Sequence, residues 1–169
     1  MSFINIEIKA RTNNSRIIRQ WLLDNNTDFK GIDEQTDTYF NVPNGRLKLR
    51  EGNIENNLIY YERENQAGPK QSDFNLLSVE NPGALKELLT AALGVKVIVE
   101  KKREIYYIDN VKFHIDQIEG LGDFVEIEAS NKTKDIPAEK LREQCGYFMK
   151  AFELREVDLL SNSYSDMMI

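Results

Sequence analysis

The sequence predicts an α+β protein in which antiparallel strands close into a β-barrel and helices pack outside it. Several stretches alternate ionic and apolar side chains with a period of two, which is typical of strands, and others space apolar residues at helical intervals. No Gly/Ser/Pro-rich linker or low-complexity tract divides the chain of 169 residues. We therefore expect one domain that covers residues 1–169.

The N-terminal segment predicts a strand followed by an amphipathic helix. In residues 3–11 the even positions are apolar, and the odd positions are polar or ionic after Phe3. Residues 15–23 then place apolar side chains at helical spacing, and residues 13–15 offer an N-cap. One face of each element is therefore expected to pack in the core.

The central segment predicts a series of hairpins and a second helix. Between residues 35 and 78 the strand-like runs are TDTYFNV, RLKLRE, LIYYERE and SDFNLLSV. Asn81 is expected to cap the helix, with Pro82 at its first position and Gly94 just past its end. The apolar stripe that we expect in the core is formed by Leu85, Leu88, Leu89 and Ala92.

The C-terminal half predicts three more strands and two closing helices. The strand-like runs are VKVIVEKKREIYYI, VKFHIDQIE and DFVEIEAS. One helix is expected behind Pro137 and a second near Tyr164. Cys145 lies on the apolar face of the first of these helices, so we expect a buried thiol and not a nucleophile.

The composition excludes several classes of protein. A formal net charge of -6 argues against general nucleic-acid binding, which needs a broad basic surface. No apolar run reaches the roughly 20 residues that span a bilayer, so we expect a cytoplasmic protein without membrane partners. With one cysteine and one histidine, any metal must be held by oxygen, and Mg²⁺ or Mn²⁺ is the default. A homodimer is an assembly that the sequence leaves open.

Ionic side chains share one face on at least five of the predicted strands. These positions are Glu7, Lys9 and Arg11; Arg46, Lys48 and Arg50; Arg63; Lys101 and Arg103; Lys112, His114 and Asp116; and Glu126 and Glu128. A single strand of this kind is usually the wet face of an antiparallel sheet. So many strands with helices on the apolar side must either expose a broad charged face or close around it. We favour closure into a polar tunnel.

The charges of this tunnel indicate its ligand. Cations two residues apart on a strand lie roughly 7 Å apart and repel by about 2 kcal/mol at an effective dielectric constant near 20. A polyphosphate would relieve the repulsion between these cations, because guanidinium groups grip phosphate with paired hydrogen bonds. The carboxylates of the tunnel are too few to neutralise the cations, but they suffice for one or two hard metal ions.

The residues resemble those of the CYTH superfamily of triphosphate tunnel metalloenzymes, with class IV adenylate cyclases as the most similar group. The most specific block runs from His114-Ile115-Asp116 through residues 120–128, and residues 5–9 and 45–50 also match. The resemblance implies an eight-stranded antiparallel tunnel. It implies that Glu7, Asp116, Glu126 and Glu128 bind metal, and that Lys9, Arg46, Lys48, Arg50, Arg63, Lys101 and Arg103 bind triphosphate. Arg11 is a further triphosphate-binding candidate because it shares the ionic face of the first strand. Lys70 is the alternative to Arg63.

Three functions follow from this resemblance. The first is adenylate cyclisation, in which ATP gives cyclic AMP and pyrophosphate, with Glu7, Lys9 and Asp116 as catalytic candidates. The second is hydrolysis of thiamine triphosphate, tripolyphosphate or a nucleotide. The third is a catalytically weak triphosphate-binding module, because Asn5 stands where the family motif has its first glutamate. His114 is expected to line the wall as a hydrogen-bonding group.

Overall fold

A computed structural model describes residues 2–63 and 65–168, in which eight strands form one closed antiparallel barrel. The strands are β1 (Ser2–Arg11), β2 (Asp28–Phe40), β3 (Arg46–Glu51), β4 (Asn57–Arg63), β5 (Lys70–Ser78), β6 (Val95–Ile108), β7 (Val111–Ile118) and β8 (Gly122–Ser130). Their order around the barrel is β1-β5-β4-β3-β2-β6-β7-β8. The predicted closure of the sheet is therefore confirmed.

Four helices accompany the barrel. They are α1 (Ser15–Asp24), α2 (Pro82–Leu93), α3 (Ala138–Ala151) and α4 (Tyr164–Met167), with a 3₁₀ turn at Glu156–Asp158. Of the two predicted closing helices, α3 is long and α4 is a single turn with a capping box at Ser163 and Asp166. Within the described ranges no helix has the length and apolar character needed to cross a bilayer.

The strand predictions differ from the structure mainly at β2. The sequence predicts this strand from Thr36, whereas it begins at Asp28. A register shift between Phe29 and Gly31 breaks the alternation of side chains, so the period-two signal is lost there. The predicted run that contains β4 ends at Glu64, which lies outside the described residues.

The main core lies between the outer face of β1, β7 and β8 and the helices α1 and α3. Ile6 and Ile8 of β1, together with Phe113 and Ile127, pack there against helical side chains. Cys145 of α3 is fully buried in this core, as predicted. Burial raises the pKa of its thiol to about 12, so the thiol stays protonated at neutral pH.

Helix α2 has the predicted ends but not the predicted burial. The Asn81 side chain accepts a hydrogen bond from the Ala84 amide at 3.4 Å, and Gly94 ends the helix with a φ of 76°. However, no residue of α2 is buried, and Leu88 is 65% exposed. The prediction of a core stripe is wrong because an apolar helix face indicates a preference for burial and not the presence of a partner surface. At α1 the predicted cap is also absent, since Asn14 makes no side-chain capping bond.

Candidate active site in the barrel lumen

The inward-facing side chains of the barrel enclose a polar lumen. The predicted site residues that line it are Glu7, Lys9, Lys48, Arg50, Arg63, Lys101, Arg103, Glu126 and Glu128. They come from β1, β3, β4, β6 and β8, and they meet because residues two apart on a strand face the same side. Closure of the sheet therefore brings together cations and carboxylates that lie more than one hundred residues apart in the sequence.

Three predicted site residues lie elsewhere. Arg11 is exposed, and its guanidinium donates to the Leu121 carbonyl at 2.9 Å. Arg46 donates to Asp166 of α4 at 2.8 Å, near one mouth of the barrel. Asp116 shares the inward face of its strand with lining residues but is fully buried and does not reach the cavity. The structure thus places these three side chains outside the set that faces the cavity.

Asp37 is a buried carboxylate that pairs with cations of the lumen, and the sequence prediction missed it. It accepts two hydrogen bonds from Arg50 at 2.9 Å and one from Lys101 at 2.7 Å, and Lys48 lies 3.3 Å away. Burial alone would raise the pKa of Asp37, but these three cations hold it well below its usual range. The signal was available, because Asp37 has the inward parity of the TDTYFNV run.

Glu55 is a second missed carboxylate, and it reaches the lumen from the loop between β3 and β4. It pairs with Lys112 and, at 3.5 Å, with Arg50. Buried Asp33 holds this loop by accepting the amides of Ile54 and Glu55, both at 2.9 Å. Strand periodicity could not have found Glu55, since a loop residue has no fixed parity.

Arg103 occupies the middle of the lumen and is held by Asp116. Its Nε and Nη2 donate to the two carboxylate oxygens of Asp116 at 2.8 Å, and Tyr164 donates to the same carboxylate at 2.9 Å. The second contact of Arg103 is with Glu126, at 3.5 Å. Asp116 therefore fixes the position of a lumen cation while its own oxygens are fully engaged.

Arg63 has donors in the lumen that lack a partner. Its Nη1 pairs with Glu7, but its Nε and Nη2 are buried and make no hydrogen bond within the described residues. An unpaired buried donor costs about 1–3 kcal/mol. Two such donors on one guanidinium have the geometry that binds a phosphate oxygen pair.

The lumen carboxylates pair with more of the cations than the sequence suggested. Asp37 and Glu55 join the predicted acids and neutralise part of the positive charge of the tunnel. A surplus of positive charge nevertheless remains. Burial and the charge of Arg63 help to lower the pKa of Lys9 to about 8, although Glu126 lies 3.7 Å away.

The C-terminal segment closes one end of the lumen. The Tyr164 ring lies beneath Lys9, with 3.7 Å from Nζ to the ring centroid. Lys70 donates to the carbonyls of Leu160 at 3.2 Å and Ser161 at 3.1 Å, and burial lowers its pKa to about 8. Lysines therefore cluster at this closed end, which we call the lysine end.

The lumen next to the lysine end contains a donor set that fits a divalent cation. His114, Glu126 and Glu128 each offer a ligand atom, and these atoms lie within 4.8 Å of one another. The Asn5 amide nitrogen donates to Glu128 at 2.5 Å, and its buried carbonyl oxygen has no partner in the described chain. Burial raises the pKa of Glu128 despite the attraction of Lys112. The positive charge near this carboxylate therefore does not offset the cost of burying its negative charge. We call this region the carboxylate end.

An aromatic wall lies beside the carboxylate end. Phe3 stacks on Phe74 with ring centroids 5.7 Å apart, and Phe74 stacks on Tyr61 at 5.1 Å. These side chains line the same cavity as the charged residues, together with Ile59 and Leu76. The lumen thus combines a polyanion-binding region with an apolar surface that suits a planar group.

A closed eight-stranded barrel whose lumen carries clustered cations and a divalent-cation donor set defines a triphosphate-tunnel type of protein. The sequence matches the CYTH domain over residues 4–157. The chain belongs to the CYTH family, which confirms the resemblance seen in the sequence. None of the curated proteins matches it.

Solved structures share the whole fold. A protein from Pyrococcus horikoshii is 26% identical with a TM-score of 0.79, over 96% of this chain and 98% of that one. A candidate adenylate cyclase from Vibrio parahaemolyticus has a TM-score of 0.81 at 18% identity, over 98% and 97%. A candidate adenylyl cyclase from Hippeastrum, described as having a dominant triphosphatase activity, has a TM-score of 0.63 at 13% identity, over 98% and 93%.

Proposed function

We propose that this protein is a divalent-cation-dependent adenylate cyclase that binds ATP in the barrel lumen and converts it to cyclic AMP and pyrophosphate. The observation that carries the proposal is the pair of unpartnered Arg63 donors beside the crowded lumen lysines. A triphosphate supplies the acceptor oxygens that Arg63 lacks and adds negative charge beside the buried Lys9 and Lys101.

The residues divide the binding task between them. Phosphate oxygens would compete with the carboxylates that now hold the lumen cations, chiefly Asp37 and Glu126. The cations concerned are Lys9, Lys48, Arg50, Lys101 and Arg103. Arg46 stands at the mouth, where it can exchange Asp166 for phosphate. Each exchange replaces one charged acceptor with another, so the cost of breaking the internal pairs is largely recovered.

The carboxylates Glu7, Glu126 and Glu128 would hold Mg²⁺ or Mn²⁺, which neutralises developing phosphate charge when bound. In the cyclase reaction the ribose 3′-oxygen bonds to the α-phosphorus, and the bond from that phosphorus to the bridging oxygen breaks. Pyrophosphate leaves with that electron pair, and the 3′-hydroxyl loses its proton. Lys9 and Arg103 would stabilise the leaving group, while Glu7 is the carboxylate best placed to accept a proton.

Asp116 acts through Arg103 in this scheme. Its carboxylate is enclosed by Arg103 and Tyr164, so it positions a phosphate-binding cation without touching the nucleotide. This role replaces the metal-binding and catalytic roles that the resemblance implied for Asp116.

The aromatic wall favours an organic triphosphate over inorganic tripolyphosphate. Phe3 and Phe74 are half-buried and line the lumen next to the carboxylate end. A ring stacked on them would place the phosphate chain toward the lysine end. This arrangement supports a nucleotide substrate.

Product identity tests the proposal. Purified protein is incubated with ATP and Mg²⁺ or Mn²⁺, and cyclic AMP with pyrophosphate is resolved from orthophosphate. We expect cyclic AMP and pyrophosphate in equal amounts. Orthophosphate release without cyclic AMP would refute the cyclase assignment and leave triphosphate binding intact.

Triphosphate hydrolysis is the second candidate. The similar Hippeastrum structure, described as having a dominant triphosphatase activity, favours it. In this reaction water attacks the terminal phosphorus in the same lumen, so the two candidates differ in which phosphorus meets the nucleophile. A screen of ATP, GTP, thiamine triphosphate and tripolyphosphate, scored by product, separates them.

A further inference from the structure

His114 carries a ring nitrogen that nothing in the described chain uses. The side chain is 1% exposed, and its Nε2 makes no hydrogen bond there. Its Nδ1 lies 3.3 Å from the Glu126 carboxylate. Buried polar atoms normally have a hydrogen-bond partner, so a purely structural role in the wall does not explain this free nitrogen.

The His114 ring belongs to the cluster at the carboxylate end. Its ligand atom and those of Glu126 and Glu128 lie within 4.8 Å of one another. Ligands on opposite sides of a first-row metal ion are separated by about 4 Å, so small side-chain shifts would bring all three into bonding range. The unpartnered carbonyl oxygen of Asn5 adds a fourth donor, since the Asn5 amide is tied to Glu128 at 2.5 Å.

The pairing of β7 with β8 sets the position of the ring. The backbone of β7 fixes the residue opposite Glu126 of β8 in the register of the two strands. His114 and Glu126 therefore face the lumen side by side.

We propose that His114 binds the divalent cation directly, through a ring nitrogen, together with Glu126 and Glu128. The site then has one nitrogen and at least two carboxylate ligands, and it prefers a first-row transition ion such as Mn²⁺ over Mg²⁺. This inference rests on the cation site of the proposed function but not on any turnover.

Pulsed EPR of bound Mn²⁺ tests this directly. Because the chain has a single histidine, a protein freed of any histidine tag can show imidazole ¹⁴N modulation from His114 alone. We expect ¹⁴N coupling of a directly bound imidazole in the protein with Mn²⁺ and no triphosphate. Labelling only the histidine with ¹⁵N should replace that pattern with the ¹⁵N one. Bound Mn²⁺ without imidazole coupling would overturn the proposal.

Ion selectivity provides the second measurement. His114→Gln keeps a hydrogen-bonding side chain of similar reach and should lower Mn²⁺ affinity about tenfold while changing Mg²⁺ affinity little. The matched control Gln117→Ala alters a residue of the same strand that is exposed on the outside, and it should leave both affinities unchanged. An equal loss for both ions in His114→Gln would contradict a nitrogen ligand.

The outcome is separable from the fate of the proposed function. Imidazole coupling in a protein that turns over no triphosphate supports the ion site and refutes the cyclase. Turnover of ATP by a protein whose bound Mn²⁺ shows no nitrogen coupling refutes the ion site and leaves the cyclase.

Discussion

The two ends of the lumen differ in how their charges are satisfied. At the lysine end, Lys70 is held by main-chain carbonyls, whereas Lys9 lies over the Tyr164 ring and 3.7 Å from Glu126. At the carboxylate end, Glu55 and Lys112 form a direct ion pair, whereas Glu128 has an amide beside it. The lysine end is thus built to accept negative charge, and the other end is built to accept a cation.

The difference teaches that a closed barrel can keep two opposite ligand preferences in one cavity. Arg103 and Arg63 each pair with a carboxylate of the lumen, Glu126 and Glu7 respectively. A triphosphate with a bound divalent cation matches these two preferences, because its phosphates are negative and the ion is positive. A substitution at one end should therefore weaken the binding of one ligand more than that of the other.

The largest expected effect comes from Arg63. Arg63→Gln removes the unpartnered donors and the positive charge, and we expect ATP affinity to fall about 100-fold, since a lost charged phosphate contact costs roughly 2–4 kcal/mol. Isothermal titration calorimetry with a non-hydrolysable ATP analogue measures it. Arg63→Lys keeps the charge beside Glu7 without the forked donors. Its ATP affinity should lie between that of the unsubstituted protein and that of Arg63→Gln.

Arg155→Gln is the matched control for this change. Arg155 is exposed and pairs with Asp158 outside the barrel, so its loss should change ATP affinity less than twofold. Equal losses in the two glutamine variants would mean that general electrostatic attraction, and not the lumen, binds the nucleotide.

The fold was more predictable from the sequence than the site was. The bounds of β3 and β6 follow from period-two alternation, and the closed barrel follows from the number of strands that share it. The same parity found the site residues on strands except Asp37 of β2, which was overlooked although it shares that parity. Glu55 was missed because it sits on a loop, and Asn5 was recognised only through its departure from a family motif.

The prediction that separates the third function from the others concerns Asn5. Asn5→Glu places a second carboxylate beside Glu128, so we expect the melting temperature to fall without metal and Mn²⁺ affinity to rise about thirtyfold, because affinity follows ligand charge. Calorimetric titration and thermal melts with and without Mn²⁺ measure both effects. A large gain in ATP turnover would favour a protein whose catalysis has weakened, and unchanged turnover would favour an adapted enzyme.

The aromatic wall should matter only for ligands that carry a ring. Phe74→Ala removes the middle ring of the stack, and we expect ATP affinity to fall about tenfold, since stacking of a base on an aromatic side chain contributes roughly 1–3 kcal/mol. Tripolyphosphate affinity should stay within twofold and serves as the internal control. Equal losses of affinity for ATP and tripolyphosphate would mean that the substitution disturbs the barrel, and would contradict base stacking on the wall.

The limits of prediction are physical at Asp116 and α2. Parity placed Asp116 on the inner face, but parity cannot say that Arg103 and Tyr164 would enclose its carboxylate. Periodicity likewise gave α2 an apolar face, although the number of surfaces available to cover it depends on the whole fold. Local patterns specify which way a side chain points, and tertiary structure specifies what it meets.

The smallest expected effect is a dependence on pH that has opposite signs for binding and for stability. The folded-state pKa of Lys9 is about 8 against 10.5 for an ordinary lysine, so the folded chain binds this proton more weakly than the unfolded chain. Stability without ligand should therefore rise from about pH 8 to about pH 10. ATP binding needs the charged lysine, so affinity should fall about fivefold between roughly pH 7.5 and pH 9.

Lys9→Arg sharpens this last prediction. Arginine stays protonated throughout the range, so the variant should bind ATP with a flatter pH profile, and thermal melts should lose part of the rise in stability. Lys70, whose pKa also lies near 8, should keep the remaining part of that rise. An unchanged slope in Lys9→Arg would assign the titration to another group and remove Lys9 as the cation that gives the lysine end its affinity for phosphate.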